Sequence, residues 1–479
     1  MTTLIIQPSA QPDYDLAEQV LGRSVPRDRN TAAPTLWTLG YPELELNEYL
    51  RSVAPNVEPD TAIEKARTLG RWAQFLRDRG TDLATAQKVD WLAFQSRHLK
   101  PQDPETGKLR KPTMSSTWRK YRGDIFAFHA WAEKHYRWPN PLPHKIDPTT
   151  GKTKHIGPRT VSSAPDVMPL TPQEFELLLE GAHRTTPKGR ERVSTLREQA
   201  LQAWMVATGQ RTETSIRQTI FELPPASPVL PPIATPDEDV AEGEEGTYGT
   251  GEVRRLERIR TAAAITKNNR AVLHLGLAGW LDLVRDYAAG DRDLSLRPYN
   301  PPSRLIVVGE PNAVSVEFVH EKTGEREKRQ WNTVTASERQ RMVTEDETTG
   351  ELVTVMLFVQ QAGRPWAKGS ARNAITANIA AAQVLACERG TTFPTGVHPH
   401  SLRHTYAVWV AMLRVLRDEE AGYAHLDLSR KAIVEMTARQ MGHAKPTDKQ
   451  GVTDLYLSFL EEFMLDTSLT AAMLKGFDR

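Results

Sequence analysis

A histidine and an arginine stand three residues apart in the segment His398-Pro399-His400-Ser401-Leu402-Arg403-His404-Thr405. Ser401 is suited to begin a helix, and side chains three apart on a helix share a face, so His400 and Arg403 are predicted to lie together. A helix N-terminus adds exposed N–H groups and a partial positive charge. The group is therefore suited to bind a phosphate, although an isolated pair of this kind also occurs as a cap or as packing.

Other residues along the chain could join the same chemistry. Gly209-Gln210-Arg211 follows an apolar helical pattern, so the Arg211 guanidinium is predicted to project from a rigid corner. Lys267 lies at the mouth of a predicted hairpin, Gly442-His443 follows another helical pattern, and Tyr456 comes later on a further helix. Each has an ordinary explanation when taken alone, because a lysine at a turn is usually solvated and a single tyrosine usually belongs to the core.

Taken in order, these residues resemble the motif set of the tyrosine recombinase, or phage integrase, family. The five elements are Arg211, Lys267, His400-x-x-Arg403, Gly442-His443 and Tyr456. The resemblance covers about residues 45 to 465. It implies a site-specific DNA recombinase that cleaves and rejoins DNA through a 3′-phosphotyrosine intermediate and strand exchange, with no metal, ATP or other cofactor.

Phosphodiester chemistry explains why such an enzyme needs arginines. Attack on the phosphorus raises the negative charge on the non-bridging oxygens, and a guanidinium offers planar, permanently charged donors. We therefore assign Arg211 and Arg403 to the scissile phosphate, and His443 to a further hydrogen bond with it.

Proton transfer assigns the remaining catalytic residues. Tyr456 is the expected nucleophile, and its phenol, with an ordinary pKa of about 10, needs a group that accepts its proton. His400 is the candidate acceptor or orienting group. The resemblance assigns Lys267 the role of general acid for the leaving 5′-hydroxyl.

The sequence departs from the family pattern in three respects. Many members carry an acidic residue three positions after the first arginine, where this chain has Thr214, and its nearest carboxylate is Glu213. The stretch between Gly442-His443 and Tyr456 is longer than usual. Insertions at 222 to 252 and at about 281 to 360 have no counterpart in the simplest members.

Periodicity divides the chain into two folded parts. Apolar residues recur at steps of three and four from Asp60 to Gly80 and from Ser115 to Tyr136, so residues 43 to 145 are predicted to form an all-helical domain. It resembles the family's DNA-binding, core-binding domain. The Pro-rich residues 1 to 42 are expected to be an N-terminal arm of flexible character, and residues 146 to 165 an exposed linker.

The second part, residues 166 to 479, is the predicted catalytic domain. Thr171, Pro172 and Glu174 form the signature of a capping box, which starts a helix over 171 to 183, and a second helix follows over 195 to 208.

Two strand-like runs and a β-rich segment follow in the same part. The runs at 262 to 266 and 271 to 275 flank Asn268-Asn269 and predict a tight hairpin. The insertion at about 281 to 360 is predicted to be β-rich, with a turn at Thr323-Gly324, and helices resume from Ser370. The fold class is thus mainly α with a small β-sheet or hairpin, and the family resemblance implies that the two domains are arranged as a clamp.

Charge is distributed unevenly. The net charge of +1 argues against a DNA-binding protein, but eight acidic residues lie between 222 and 252, and without them the chain is basic. We interpret that segment as an outward loop that weakens non-specific DNA binding. Basic candidates for phosphate contacts in the helical domain are Lys108, Arg110, Lys111, Arg119, Lys120 and Arg122. A solvated helix face would give the same pattern.

The overall composition, with 39% hydrophobic and 25% charged residues, is typical of a globular protein. No apolar stretch reaches the roughly 18 residues of a membrane span, and the N-terminus lacks a secretory pattern, so a cytoplasmic, nucleoid-associated protein is expected. A single cysteine, Cys387, excludes a cysteine-rich zinc module. The partners implied by the resemblance are double-stranded DNA with a specific recombination site, three further copies in a homotetramer, and accessory DNA-bending proteins.

Three other interpretations remain open. A type IB topoisomerase-like enzyme shares the phosphotyrosine step, and relaxation of supercoiled DNA without any specific site would identify it. A catalytically silent relative would only occupy DNA sites, although all the catalytic residue types are present here. A coincidental match in an unrelated helical protein is the third.

Overall fold

The computed structural model describes residues 33–38, 41–57, 59–100, 102, 107, 109, 113, 115–146, 153–155, 169–183, 195–225, 256–266, 269–420, 437 and 441. Contacts between residues divide the chain into two compact units, 1–165 and 166–479. Helices dominate the described parts of both units and the sheets are small, which confirms the predicted mainly α class. The clamp arrangement stays a prediction.

The described residues of the first unit form helices α1 (Leu44–Val53), α2 (Pro59–Asp78), α3 (Lys88–Leu99) and α4 (Ser115–Tyr136). Helices α2 and α4 confirm the two predicted helices, and Gly80 follows α2 with a φ of 74°, as expected of a C-terminal stop. Helix α3 was not predicted because its apolar residues do not share one face: Val89 and Leu92 are exposed while Trp91 and Phe94 are buried.

Aromatic rings fill the core of the first unit. Trp72 packs at ring-centroid distances of 5.1 Å from Phe94 and 6.3 Å from Trp91. Its indole Nε1 donates to Nε2 of the buried His129 at 3.0 Å. Burial lowers the pKa of His129 to about 3, so the ring stays neutral and can accept this hydrogen bond.

The prediction that folded structure begins after Pro42 is wrong. Strand β1 (Trp37–Thr38) pairs antiparallel with β2 (Tyr41–Pro42), and Leu36 is completely buried. The Asn47 side chain on α1 accepts the N–H of Leu36 at 2.6 Å and donates to its carbonyl at 3.0 Å. This contact between residues far apart in sequence leaves no trace in the local pattern. Residues 1–32 of the predicted arm lie outside the described residues.

The predicted linker also contains ordered backbone. Strand β3 (His144–Ile146) pairs antiparallel with β4 (Thr153–His155), and the interpretation of 146 to 165 as an exposed linker stays a prediction. The rest of 147–165 lies outside the description.

Helices of the second unit, within its described residues, are α5 (Pro172–Glu180), α6 (Thr195–Thr208), α7 (Thr212–Ser215), α8 (Ala278–Ala289), α9 (Asp291–Ser295), α10 (Ala336–Arg339), α11 (Lys368–Glu388) and α12 (Ser401–Glu420). The capping box is confirmed, since Thr171 Oγ1 accepts the Glu174 N–H and the Glu174 carboxylate accepts the Thr171 N–H. Helix α6 has the predicted bounds. Helices α6 and α12 pack in one apolar core through side chains such as Trp204 and Tyr406.

The predicted tight hairpin is wrong in register. Strand β5 (Leu256–Thr261) pairs antiparallel with β6 (Val272–Leu277), from Leu256↔Leu277 to Thr261↔Val272. The chain leaves the ladder after Thr261, makes a 3₁₀ turn at Ala263–Ile265 and returns at Val272. The run 262 to 266 is apolar because it packs against another sheet, which period alone does not distinguish from a strand.

That other sheet occupies the predicted β-rich insertion. Its strands, β7 (Leu305–Val308), β8 (Ser315–His320), β9 (Arg326–Gln330), β10 (Met342–Glu345) and β11 (Leu352–Thr354), lie in the order β11-β10-β7-β8-β9. Only the β10–β7 pair among these is parallel. Gly324, with a φ of 70°, lies in the connection between β8 and β9 and confirms the predicted turn. Helices α8 and α9 precede the sheet, so the prediction of a β-rich insertion is wrong over its first part, 281–295.

Gly209, which ends α6 with a φ of 64°, provides a test of this packing. A Cβ at this position would overlap the Tyr406 ring, whereas Gly324 has a similar φ and no atom within 4 Å of such a Cβ. Positive φ costs an L-residue about 1–2 kcal/mol and overpacking adds about 1–3 kcal/mol. Gly209→Ala should therefore lower the free energy of unfolding clearly more than Gly324→Ala does, as measured by chemical denaturation. Equal losses would mean that Tyr406 does not constrain the corner.

Candidate functional site

The buried guanidinium of Arg403, near the start of α12, joins two segments that are distant in sequence. Its Nη1 donates to the carbonyl of Gly209, and its Nη2 donates to the carbonyl of Met441. Gly209 precedes Arg211 by two residues, and Met441 precedes His443 by two. Arg403 therefore brings together the backbone of two of the predicted motif segments.

The corner that carries Arg211 is held by a buried glutamine. Gln210 Oε1 accepts from Trp204 Nε1 at 3.0 Å and from Gln218 Nε2 at 3.2 Å, and its Nε2 donates to Thr261 Oγ1 at 2.7 Å. These bonds tie the end of α6 to β5. Arg211 itself is half-buried at the N-cap position of α7, which agrees with a rigid corner. Sequence reasoning did not single out Gln210, because its partners are distant or ordinary core residues.

The two residues named as departures from the family pattern have clear contacts. Glu213 pairs with Lys368 at 2.8 Å and with Arg217 at 2.5 Å. Thr214 is buried, and its hydroxyl donates to the carbonyl of Ile265 at 3.5 Å, the outer limit of such a bond. The position that is acidic in many relatives of the resembled family thus faces the backbone just before residue 267. Which carboxylate supports Arg211 stays an open prediction.

Helix α12 begins at Ser401 as predicted. The N–H of His398 donates to Ser401 Oγ, and the N–H of Ser401 donates to His398 Nδ1, each at 3.2 Å. Leu402 and Tyr406 are buried as expected, while the side chains of 413 and 416 lie outside the description. The first turn of the helix is thereby held by a reciprocal cap of histidine and serine.

His400 lies in the turn just before α12 with part of its side chain exposed, whereas the Arg403 side chain is buried. Desolvation of the His400 ring, followed by the positive charges of Arg403 and Arg211, lowers its pKa to about 4. Both guanidinium charges therefore act on this ring. At neutral pH the imidazole is uncharged, which is the form that can accept a proton.

His274 is a second neutral imidazole that sequence reasoning missed. It is buried on β6, with its ring centroid 6.4 Å from that of Tyr406, whose hydroxyl donates to the Leu275 carbonyl at 3.1 Å. Burial, with a smaller effect of the Arg403 charge, lowers the pKa of His274 to about 3. The sequence does carry a signal for this residue. Val272, His274 and Gly276 alternate along the inward-facing side of the strand, and His274 is the polar residue among them.

The basic candidates of the first unit are only partly described. Arg119 and Lys120 are exposed on α4, and Lys120 pairs with Glu64 at 3.0 Å. Arg122 is half-buried, and burial together with the charge of Arg119 lowers its pKa. Lys108, Arg110 and Lys111 lie outside the described residues. The ion pair with Glu64 reduces the charge that α4 offers to a phosphate backbone.

Three predicted catalytic residues, Lys267, His443 and Tyr456, lie outside the described residues, as do residues 226–252 of the predicted acidic segment. The roles of these three residues stay predictions. The interpretation of the acidic segment as an outward loop is wrong at Glu222, which is buried and paired with Arg339. Within the described ranges, no three acidic, histidine or cysteine side chains are placed to hold a metal ion. No described helix is both long enough and apolar enough to cross a membrane.

No protein-family model and no curated protein matches the chain. Among solved structures, it is similar to XerH site-specific recombinase bound to palindromic difH substrate in a post-cleavage complex, with 12% identity, a TM-score of 0.43, and coverage of 88% of this chain and 82% of that one. It is also similar to a lambda integrase dimer bound to a COC′ core site, with 12% identity, a TM-score of 0.42, and coverage of 86% of this chain and 93% of that one. A third similar structure is Tn1549 transposon integrase in complex with circular intermediate DNA, with 13% identity, a TM-score of 0.41, and coverage of 86% of this chain and 94% of that one.

The state of His400 gives a pH prediction. Its imidazole should titrate near pH 4 in histidine-labelled protein followed by NMR, and Arg211→Gln should move the midpoint upward, toward the ordinary value of about 6.5, because one positive charge is removed. The unfolded chain binds more protons than the folded one between these values, so His400 contributes a loss of stability as pH falls through that window. A midpoint near 6.5 in the unaltered protein would place the ring away from both arginines.

Proposed function

We propose that the chain is a site-specific DNA recombinase of the tyrosine recombinase type, which cleaves and rejoins DNA without metal or ATP. The observation that supports this best is the pair of hydrogen bonds from buried Arg403 to the carbonyls of Gly209 and Met441. Three separate parts of the predicted motif set meet at that guanidinium. A coincidental match of residue types would give no reason for such a meeting.

Positive charge at this place suits a phosphodiester. Arg211 stands at the N-cap position of α7, where its guanidinium can approach a phosphate from the corner as a bidentate donor. Arg403 supplies a second permanent charge from a buried position, where the low dielectric strengthens its effect on charge that develops in the transition state. His443 would complete the set of donors to the non-bridging oxygens.

The reaction needs one proton acceptor and one proton donor. Tyr456 Oη attacks the phosphorus, the bond from phosphorus to the 5′-oxygen breaks, and a 3′-phosphotyrosine forms. Neutral His400 accepts or orients the phenolic proton, and Lys267 gives a proton to the leaving 5′-oxygen. Attack by the 5′-hydroxyl of a partner strand then reverses the step and conserves the energy of the bond.

The partners follow from this reaction. The substrate is double-stranded DNA with a specific recombination site, and exchange of strands between two duplexes would use four copies of the chain, one for each strand that is cut. Accessory DNA-bending proteins are candidate further partners. Arg119, Lys120 and Arg122 on α4 are proposed to contact backbone phosphates, along with Lys108, Arg110 and Lys111. The expected location is the cytoplasm, at the nucleoid.

Covalent capture from random DNA tests the proposal and identifies the recombination site in the same experiment. The full chain is incubated with a pool of nicked duplexes of randomised sequence, and DNA that stays on the protein after denaturation with detergent is sequenced. Enrichment of one sequence with a fixed cleavage position is expected. Sequence-independent relaxation of supercoiled DNA would favour a topoisomerase, and binding without any adduct would favour a catalytically silent relative.

Tyr456→Phe should abolish the covalent adduct on the captured sequence and leave the affinity for that DNA unchanged, because only the attacking oxygen is removed. Adduct formation is measured on denaturing gels, and affinity by gel shift. Tyr423→Phe serves as the matched control and should retain the adduct. An adduct that persists in Tyr456→Phe would assign the nucleophile to another residue.

Arg211→Ala should slow cleavage by about 10²-fold or more, since one well-placed donor to a transition state contributes roughly 3 kcal/mol. The matched control is Arg217→Ala, because Arg217 lies in the same segment but pairs with Glu213 at 2.5 Å. The single-turnover cleavage rates of both variants are measured and compared with the rate of the wild-type chain. Near-normal cleavage by Arg211→Ala would remove that arginine from the site.

A further inference from the structure

The loop between β5 and β6 packs against the inserted sheet. Ala262 and Ile265 are buried, with 2% and 1% of their surface exposed, in one apolar cluster with residues of the insertion. The members from the insertion are Leu305, Val307, Val316, Phe318, Trp331, Val334, Met342 and Val355. The loop therefore has its own core, separate from the one that holds α6 and α12. Its conformation depends on residues that the simplest relatives in the resembled family lack.

A polar contact fixes the backbone of the same loop. Asn332 Oδ1 accepts the N–H of Ala263 at 3.2 Å. Asn332 lies in the 3₁₀ turn Trp331–Thr333, and Trp331 Nε1 donates to the carbonyl of Asn312 at 2.7 Å, which holds that turn to the sheet. On its other side the loop is joined to α7 by the bond from Thr214 to the Ile265 carbonyl. The loop is thus held between the insertion and the segment that carries Arg211.

Arg339 fixes the turn Trp331–Thr333 through several hydrogen bonds. Its side chain is fully buried, lies 4.9 Å over the Trp331 ring, and donates to the carbonyls of Trp331 at 3.0 Å and Val334 at 3.1 Å. It also donates to the Arg217 carbonyl at 3.3 Å and to the buried carboxylate of Glu222. A buried guanidinium with this many acceptors has little freedom to move, so the turn and the segment after α7 keep one relative position.

Backbone hydrogen bonds add to this attachment. The N–H of Ile220 donates to the Val355 carbonyl, and the N–H of Leu357 donates to the Gln218 carbonyl, each at 2.9 Å. The end of the insertion therefore pairs with the stretch that follows Arg211. These two bonds hold the insertion and this stretch in one relative position.

We propose that the turn Trp331–Thr333, fixed by Arg339, is a positioning platform for the loop 262–266, with Asn332 as its polar contact. The inference rests on the proposed function, in which the next residue, Lys267, donates a proton to the leaving oxygen. A lysine in an unsupported connection would sample many positions, whereas proton donation requires placement within hydrogen-bond reach. The insertion supplies that placement, and Asn332 acts through the loop backbone as a positioning residue.

Two substrates separate positioning from a general structural effect. On the captured DNA sequence, Asn332→Ala should slow cleavage at least about 10-fold, as expected for a displaced proton donor. The loss should disappear on the same DNA with sulfur in place of the bridging 5′-oxygen, because a thiolate leaves without a proton. Asn300→Ala is the matched control, since this exposed asparagine lies in the insertion but outside the turn Trp331–Thr333, where its Oδ1 accepts from Arg304 Nη1 at 2.7 Å, and it should behave as wild type on both substrates. Equal losses of Asn332→Ala on both substrates, or no loss at all, would overturn the proposal.

Hydrogen exchange tests the platform independently of catalysis. The peptide that contains residues 262–266 should exchange faster in Asn332→Ala than in wild type, and at the wild-type rate in Asn300→Ala, while thermal unfolding confirms that both variants are folded. Unchanged exchange in Asn332→Ala would overturn the platform. If the wild-type chain forms no adduct but the exchange pattern is as expected, the proposed function fails while the support of the loop stands.

Discussion

The structure of the candidate site depends on one buried charge. The Arg403 guanidinium is 2% exposed, and a buried cation is tolerated only where fixed acceptors surround it. Its acceptors include the carbonyls of Gly209 and Met441, so both peptides must turn toward α12. Gly209 can make this turn at the end of α6 because it has no Cβ. Its φ is positive, and a Cβ at this position would overlap the Tyr406 ring. The placement of Arg211 follows from that turn.

Desolvation lowers the pKa values of two neighbouring histidines, and the Arg403 charge adds to both shifts. Positive charge near His400 and His274 adds to desolvation and lowers their pKa values to about 4 and about 3. The site therefore combines permanent cations with neutral imidazoles at physiological pH. In the proposed reaction, that combination would bind the phosphodiester and offer a proton acceptor to the attacking phenol.

Local chemistry predicted the parts of the fold that depend on near neighbours. The stripes of α2 and α4, the capping box at Thr171 and the start of α12 at Ser401 all follow from side chains within a few positions of one another. The wrong predictions, by contrast, involve contacts across long sequence separations. Leu36 is fixed by Asn47, and the run 262 to 266 is held by the inserted sheet, so neither is visible in the periodicity of its own segment.

The candidate site divides in the same way. The corner at Arg211 and the helix start at Ser401 could be predicted because a glycine stop and a helix N-terminus are local signals. Gln210 and His274 were missed because their roles come from partners such as Thr261 and Tyr406, which the tertiary fold brings near. The assignments of Lys267, His443 and Tyr456 rest on their order in the sequence.

Mass-spectrometric mapping of the peptide attached to DNA tests the account most directly. If the segments joined by Arg403 form one site with the C-terminal part of the chain, protease digestion of the trapped adduct should yield a peptide with a nucleotide on Tyr456, linked through a 3′-phosphate. A nucleotide on Tyr406 or Tyr423, or a 5′-phosphate linkage, would contradict it.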